Sequence, residues 1–263
     1  MTDTRPLALI TGASSGIGYQ LAKQFTDNGY DLIVAAEDDG IVTAAAALAG
    51  NGASVEAVQV DLRNPDGVEQ LFKAVTEADR PLAAAALNAG VGRGGRFVDT
   101  ELQDDFDIVD LNVRSTMQLA KLVLQDMARR NAGKVLFTSS IASTMPGSYQ
   151  PVYNASKSFI QSLAEAVRDE LKDTDVTVTS LMPGPTDTNF FHRAGMNDTV
   201  IGRMKNKDDP AEVARQGFEA LMRGDQKVVA ESLSTKVMGV ANRVLPDSVK
   251  AMANRLMSAP VRR

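Results

Sequence analysis

The stretch LALITGASSGIG, residues 7–18, decides how this chain folds. Leu7 to Ile10 is a short run that is apolar on both faces, which suits a strand buried on both sides of a parallel sheet. It ends at Thr11 and opens into a loop with glycines at 12, 16 and 18, and YQLAKQF at 19–25 then continues at helical spacing, predicting a helix over 18–28. A strand, a glycine-rich turn and a helix in that order form a cradle for phosphate. Glycine lets the backbone take positive φ and approach an anion closely, while the first N–H groups of the helix and its positive dipole end point at the same place. Tyr19 follows Gly18 where a P-loop needs Lys and then Ser or Thr, so that alternative is excluded. Taken alone, three glycines can also make nothing more than a tight turn.

Further short apolar runs recur at 32–35, 55–60, 83–87, 134–138 and 176–181, with a last one at 227–230. Between them, 65–78, 102–130 and 152–172 carry helical spacing, and 210–223 opens with Asp209 as cap and Pro210 in the first position. Alternating strands and helices predict an α/β fold, a doubly wound and mostly parallel sheet of seven strands with helices on both faces. No linker, low-complexity stretch or repeat divides the chain, so the expectation is one domain over 1–232 with residues 233–263 as its tail.

The chain has 263 residues, 44% of them hydrophobic, and 28 Lys plus Arg against 33 Asp plus Glu for a net charge of −5. That balance argues against a nucleic-acid binder, which needs a basic surface. There is no cysteine and one histidine, His192, so disulfides, thiolate chemistry and a His-rich metal site are excluded and no metal is expected. No apolar run is long enough to span a bilayer, and the N-terminal apolar stretch is too short for a signal peptide, so a cytoplasmic location is expected. The charge is uneven. Lys236, Arg243, Lys250, Arg255, Arg262 and Arg263 face only Asp247 in the tail, where Val237, Val240, Ala241 and Val244, then Val249, Met252, Ala253, Leu256 and Met257, give two amphipathic stripes broken at Pro246. These predict two short helices that pack on the body or on another subunit, or else touch an anionic membrane surface.

With the loop at Gly12, Ser14, Ser15, Gly16, Ile17 and Gly18 in the Gly-x-x-x-Gly-x-Gly spacing, the sequence resembles the short-chain dehydrogenase/reductase family. Asp61 and Leu62 resemble that family's adenine pocket, Asn88, Ala89 and Gly90 its Asn-Ala-Gly turn, and Pro183, Gly184, Thr186 and Thr188 its nicotinamide-side loop. The motifs run in the family's order from residue 7 to about 190 and all follow predicted strands. The resemblance implies a Rossmann-type fold, a nicotinamide cofactor and an enzyme assembled as a homodimer or homotetramer on the helices 102–130 and 152–172.

Tyr153 and Lys157 lie four residues apart at the head of a helical pattern, so phenol and ammonium share one face. A nearby cation stabilises phenolate, which suits a general acid or base, although a Tyr and Lys at this spacing also occur as a plain surface pair. Ser140 stands thirteen residues upstream, just past a buried strand. In the family it resembles, the serine binds the substrate oxygen, the tyrosine exchanges the proton and the lysine holds the nicotinamide ribose. Asn112 matches the fourth catalytic position, which binds a water linking the lysine to solvent.

The chemistry implied is hydride transfer between the cofactor and a secondary alcohol or ketone, a small-molecule substrate. The alternative is a non-catalytic sensor of nicotinamide redox state on the same fold. Phe190, Phe191, Met196, Ile201 and Met204 make the segment 189–208 apolar, a lid over a fairly hydrophobic substrate or a cap packed on the body. Glu37, Asp38 and Asp39 follow strand two, where the adenosine ribose lies in this fold, and acids there predict NAD(H) over NADP(H), with NADP(H) as the alternative. Glu37 is the residue expected to reach the ribose.

Overall fold

A computed structural model describes residues 5–50, 52–230 and 246–261. The first half runs β1 (Leu7–Thr11), α1 (Gly16–Asp27), β2 (Asp31–Ala36), α2 (Gly40–Leu48), β3 (Val55–Gln59), α3 (Pro65–Glu77) and β4 (Leu82–Leu87). Then follow α4 (Leu102–Ile108), a π-helical segment (Val109–Ser115), α5 (Thr116–Arg130), β5 (Gly133–Thr138), a 3-10 turn (Ile141–Thr144), α6 (Pro151–Glu170) and β6 (Val176–Met182). Two short helices, α7 (Phe190–Arg193) and α8 (Val200–Arg203), precede α9 (Pro210–Arg223), β7 (Lys227–Val229) and α10 (Asp247–Ser258).

All seven strands join one sheet in the order β3-β2-β1-β4-β5-β6-β7, and every neighbouring pair is parallel. Period-two alternation divides the core. Leu7 and Leu9 of β1, and Val135 and Phe137 of β5, face a layer built by Val68 and Leu71 of α3, Leu119 and Val123 of α5 and Ile160 of α6. Ala8 and Ile10 of β1 and Leu136 of β5 face the other layer, with Leu21 and Phe25 of α1, Ile41 of α2 and Phe218 of α9. Each such large side chain contributes about 1.5–3 kcal/mol on burial, which is why strands apolar on both faces specify helices on both faces. The strand order reverses between β1 and β4, and the crevice at their C-terminal ends is where such sheets bind ligands.

Two differences from the sequence reading have physical causes. Helix α2 was not expected, because its run GIVTAAAAL lacks the polar face that gives helical periodicity its contrast. The predicted single helix 102–130 is interrupted by the π segment, where Asn112 turns inward and Ser115 Oγ donates to Leu111 O at 2.6 Å. Of the two predicted tail helices, the second is α10, while the first falls outside the described residues. Asp209 caps α9 as expected, its carboxylate accepting from Ala211 N at 2.9 Å.

Candidate active site

At the C-terminal end of β1 the chain turns through Gly12 at φ +68°, where a Cβ would sit 2.9 Å from Ala89 Cα. Gly18 is held by packing instead, since a Cβ there would lie 2.0 Å from the Gly12 carbonyl oxygen. Helix α1 starts at Gly16 with no side-chain cap from Ser15 and no acidic residue in its first turn. Its N-terminus therefore presents backbone donors to the cavity, which suits the pyrophosphate of a dinucleotide.

The loop after β4 is stitched to β1 and β5. Thr11 Oγ1 accepts from both Asn88 N and Ala89 N at 3.0 Å, Asn88 Nδ2 donates to Thr11 O at 3.1 Å, and Thr138 Oγ1 donates to Asn88 Oδ1 at 3.1 Å. Sequence reasoning missed Thr11, which carries no motif of its own. After β3, two strands from β1, Asp61 accepts from Arg63 N and Nε at 2.9 and 3.0 Å, and Arg63 reaches on to Glu37 at 2.9 Å and Asp107 at 3.1 Å. The Arg63 hydrogen bonds hold the Asp61 carboxyl below the usual carboxylate range against the opposing effect of burial. Asp38, meanwhile, accepts from Ser14 Oγ at 2.8 Å. Glu37 is thus engaged by Arg63, and the acid joined to the glycine loop is Asp38.

Farther along, Ser140 accepts from Ala142 N at 3.1 Å and its hydroxyl lies 3.4 Å from Pro183 O, which ties the end of β5 to the loop after β6. Lys157 is 5% exposed and its Nζ donates to Thr138 O at 2.9 Å. Burial lowers this amine to about 8. Burial also pushes the Tyr153 phenol up to about 12, with the Ser140 hydroxyl working the other way. The spacing alone predicts a cation that lowers the tyrosine. In the folded protein the low-polarity surroundings disfavour both charged forms, and that outweighs the proximity. Asn112 is 1% exposed and stands behind this wall, its side chain bonded to Val91 N at 2.9 Å, Val91 O at 2.8 Å and Ser156 Oγ at 3.0 Å.

One cavity of about 580 Å³ takes in the whole set from Gly12, Ser14, Ser15, Gly16, Ile17 and Gly18 through Glu37, Asp38, Asp61, Leu62, Asn88, Ala89 and Gly90 to Ser140, Tyr153, Lys157, Pro183, Gly184, Thr186 and Thr188. Of the residues singled out in the sequence for this site, Asn112, Asp39 and Met196 lie off its wall. The profile of the short chain dehydrogenase family matches residues 6–198.

This chain belongs to the short-chain dehydrogenase family. Oxidoreductase UcpA of Salmonella typhimurium is 31% identical over 221 residues, 83% of this chain and 81% of that protein. A short-chain dehydrogenase from Sphingobium yanoikuyae, solved in complex with NADPH, is 26% identical with a TM-score of 0.81, covering 98% of this chain and 96% of that one. An alcohol dehydrogenase from Thermococcus sibiricus, complexed with 5-hydroxy-NADP, is 25% identical with a TM-score of 0.74 over 85% of this chain and 94% of that one. The short-chain dehydrogenase described here is accordingly an oxidoreductase that uses a nicotinamide cofactor. No helix among the described residues is long and apolar enough to cross a membrane, and no group of three or more His, Cys, Asp or Glu among them could hold a metal ion.

The substrate end of the cavity is roofed by the segment after β6. Phe191, Ala194 and Met196 form a small buried cluster with Phe190 and Ile201 against it, and Phe190 lies 5.2 Å from the Tyr153 ring. This segment is packed down by Gly94 N donating to Ala194 O at 2.8 Å and by Gln150 Nε2 on Met196 Sδ at 2.7 Å. His192 is exposed on it. The remaining roof is α10, whose Lys250, Ala253, Asn254 and Met257 line the cavity while Val249, Met252 and Leu256 face outward. Sequence reasoning grouped Met257 and Ala253 with the outward residues in one apolar stripe. The spacing of 250, 253, 254 and 257 is itself a helical face and was the available signal.

Proposed function

We propose that this enzyme transfers a hydride between a nicotinamide cofactor and a secondary alcohol or ketone, with Tyr153 as general acid and base. The observation that carries the reading is the meeting of Ser140, Tyr153 and Lys157 at one end of a cavity whose other end is the uncapped start of α1. The bound nicotinamide supplies the hydride, or accepts it in the oxidation direction. For reduction, the Ser140 hydroxyl donates to the substrate oxygen and the Tyr153 phenol gives it the proton, so that carbonyl plus hydride plus proton becomes an alcohol. With a phenol near 12 and an amine near 8, Tyr153 waits in the protonated form and Lys157 is able to exchange protons near neutral pH. Lys157 then restores the phenol's proton and holds the nicotinamide ribose. Asn112 acts as a positioning residue, pinning Val91 beyond Gly90 to Ser156 on α6. Convergence of the three catalytic groups favours turnover over a non-catalytic sensor.

The apolar lining from Phe190, Ile201, Met204 and Met257 supports a fairly hydrophobic substrate. Acids at 37 and 38 support NAD(H) over NADP(H), since a 2′-phosphate would meet carboxylates. Exposed Leu102, Phe106, Val109 and Met117 along α4, the π segment and α5, with Phe159 on α6, support a homodimer or homotetramer built on these helices. Because α10 roofs the cavity, this helix reads as part of the catalytic domain, and for it packing on the body is favoured over a membrane contact. The test is a panel of ketones and secondary alcohols followed by absorbance near 340 nm with both cofactors. Turnover of none of them, with cofactor bound, would refute the enzymatic reading.

A further inference from the structure

The two ends of the cavity differ in charge. Around the adenosine end the carboxylates are Glu37, Asp38 and Asp61, each already held by Arg63 or Ser14, and one further carboxylate on the wall, Asp208, lies beside the loop after β6, where it bridges to Thr186. Around the substrate end the wall is apolar at Phe190, Met204 and Met257, yet it carries two cations, Arg193 on α7 and Lys250 on α10. The catalytic chemistry uses neither of them. Arg193 has no side-chain partner among the described residues. The Lys250 side chain is 12% exposed, and among the described residues its ammonium rests on Asp247 alone, at 3.0 Å, whose own side chain is 79% exposed and so offers a weak, solvent-screened partner. Lys250 also stands in the first turns of α10, where a cation opposes the helix dipole. An almost buried lysine in an unfavourable position on a helix, facing a cavity, has no strong anionic partner among the described residues. Asn254, one turn on, adds a side-chain amide on the same wall.

We propose that the substrate is an elongated apolar molecule with a carboxylate at the end remote from the reacting carbon, and that Lys250 and Arg193 take that carboxylate at the cavity mouth. The inference rests on the hydride-transfer reading and names the substrate class of the same site. Tyr153 and Ser140 address the oxygen at the reacting carbon, the aromatic and methionine side chains cover the chain between, and the two cations fix its direction. A substrate so anchored has one carbon placed for reaction, which is how binding far from the chemistry sets selectivity. Charge-assisted hydrogen bonds to a carboxylate are about twice as strong as neutral ones, so losing them is expected to cost about tenfold or more in kcat/KM.

The experiment compares oxo-octadecanoic acids, with the ketone stepped along the chain, against their methyl esters. Expected is an acid-over-ester preference in kcat/KM of about tenfold or more that peaks at one ketone position. In Lys250→Glu, and in Arg193→Gln combined with Lys250→Gln, that ratio is expected to fall to near one. Equal use of acid and ester by the wild type, or a preference that survives both variants, overturns the proposal. Calorimetric binding of the same acid and ester to the full-length protein reads the anion site without turnover. No turnover together with preferential binding of the acid that Lys250→Glu removes would refute hydride transfer and leave the anion site standing. Turnover without acid preference would refute the anion site alone.

Discussion

The ammonium of Lys157 lies 5.8 Å from the centroid of the Tyr153 ring, with Lys157 buried and Tyr153 half-buried at the cavity wall. Their four-residue spacing on α6 creates this pairing, but the core around them sets their protonation, with the phenol raised to about 12 and the amine lowered to about 8. The cost of holding a charge in that core falls on Lys157.

Replacing Lys157 with Met is therefore expected to stabilise the fold at pH 7 while abolishing turnover. A lysine whose folded value lies below its unfolded value binds fewer protons folded than unfolded between about 8 and the ordinary 10.5, so wild-type stability rises with pH across that window. The gain in Lys157→Met is expected to be on the order of 1–3 kcal/mol at pH 7 and to shrink toward pH 10. Urea titrations of both proteins at pH 7, 8.5 and 10 check it, and a variant less stable than wild type at pH 7 would contradict it.

Tyr153→Phe removes only the transferable proton. Turnover is expected to fall about a hundred- to ten-thousandfold, with cofactor affinity nearly unchanged. Initial rates and fluorescence titration with reduced cofactor measure the two separately. Substantial residual turnover would remove Tyr153 from its role.

Glu37 is held by Arg63 at 2.9 Å, so Glu37→Arg both adds a cation and releases one. The wild type is expected to be about tenfold or more efficient with NAD(H), and Glu37→Arg to reverse that order, because a 2′-phosphate seeks guanidinium. Ratios of kcat/KM for the two cofactors decide it. A wild type that is at least as efficient with NADP(H) refutes the charge argument.

Gly18→Ala would drive a methyl into the Gly12 carbonyl, whereas Gly29→Ala meets nothing within 4 Å. The first is expected to cost about 1–3 kcal/mol of stability and to weaken cofactor binding, because the turn that faces the phosphates must shift. The second changes only the backbone preference at φ +85° and should leave cofactor binding as it was. Thermal melts with and without cofactor separate the two cases.

Charging the outward face of the helix pair, with Phe106→Glu and Met117→Glu together, is expected to yield a monomer by light scattering. Both side chains are about half exposed in the single chain, at 50% and 47%. Retention of the wild-type mass would move the subunit contact elsewhere.

Sequence alone determined the sheet, its parallel strands and the glycine loop, because each rests on short-range signals: runs apolar on both faces, helical spacing and a turn chemistry that needs glycine. Ser140, Tyr153 and Lys157 were singled out through the family resemblance, and the structure brings them to one cavity wall. Only tertiary structure decided the rest. The break at Asn112 depends on Val91 and Ser156, Glu37 is engaged by Arg63 while Asp38 turns to Ser14, and Lys250 with Met257 faces the cavity while Leu256 does not. In each case the deciding partner lies far away along the chain, and burial, which no window of residues contains, fixes how polar the surroundings are and therefore which charges the site can hold.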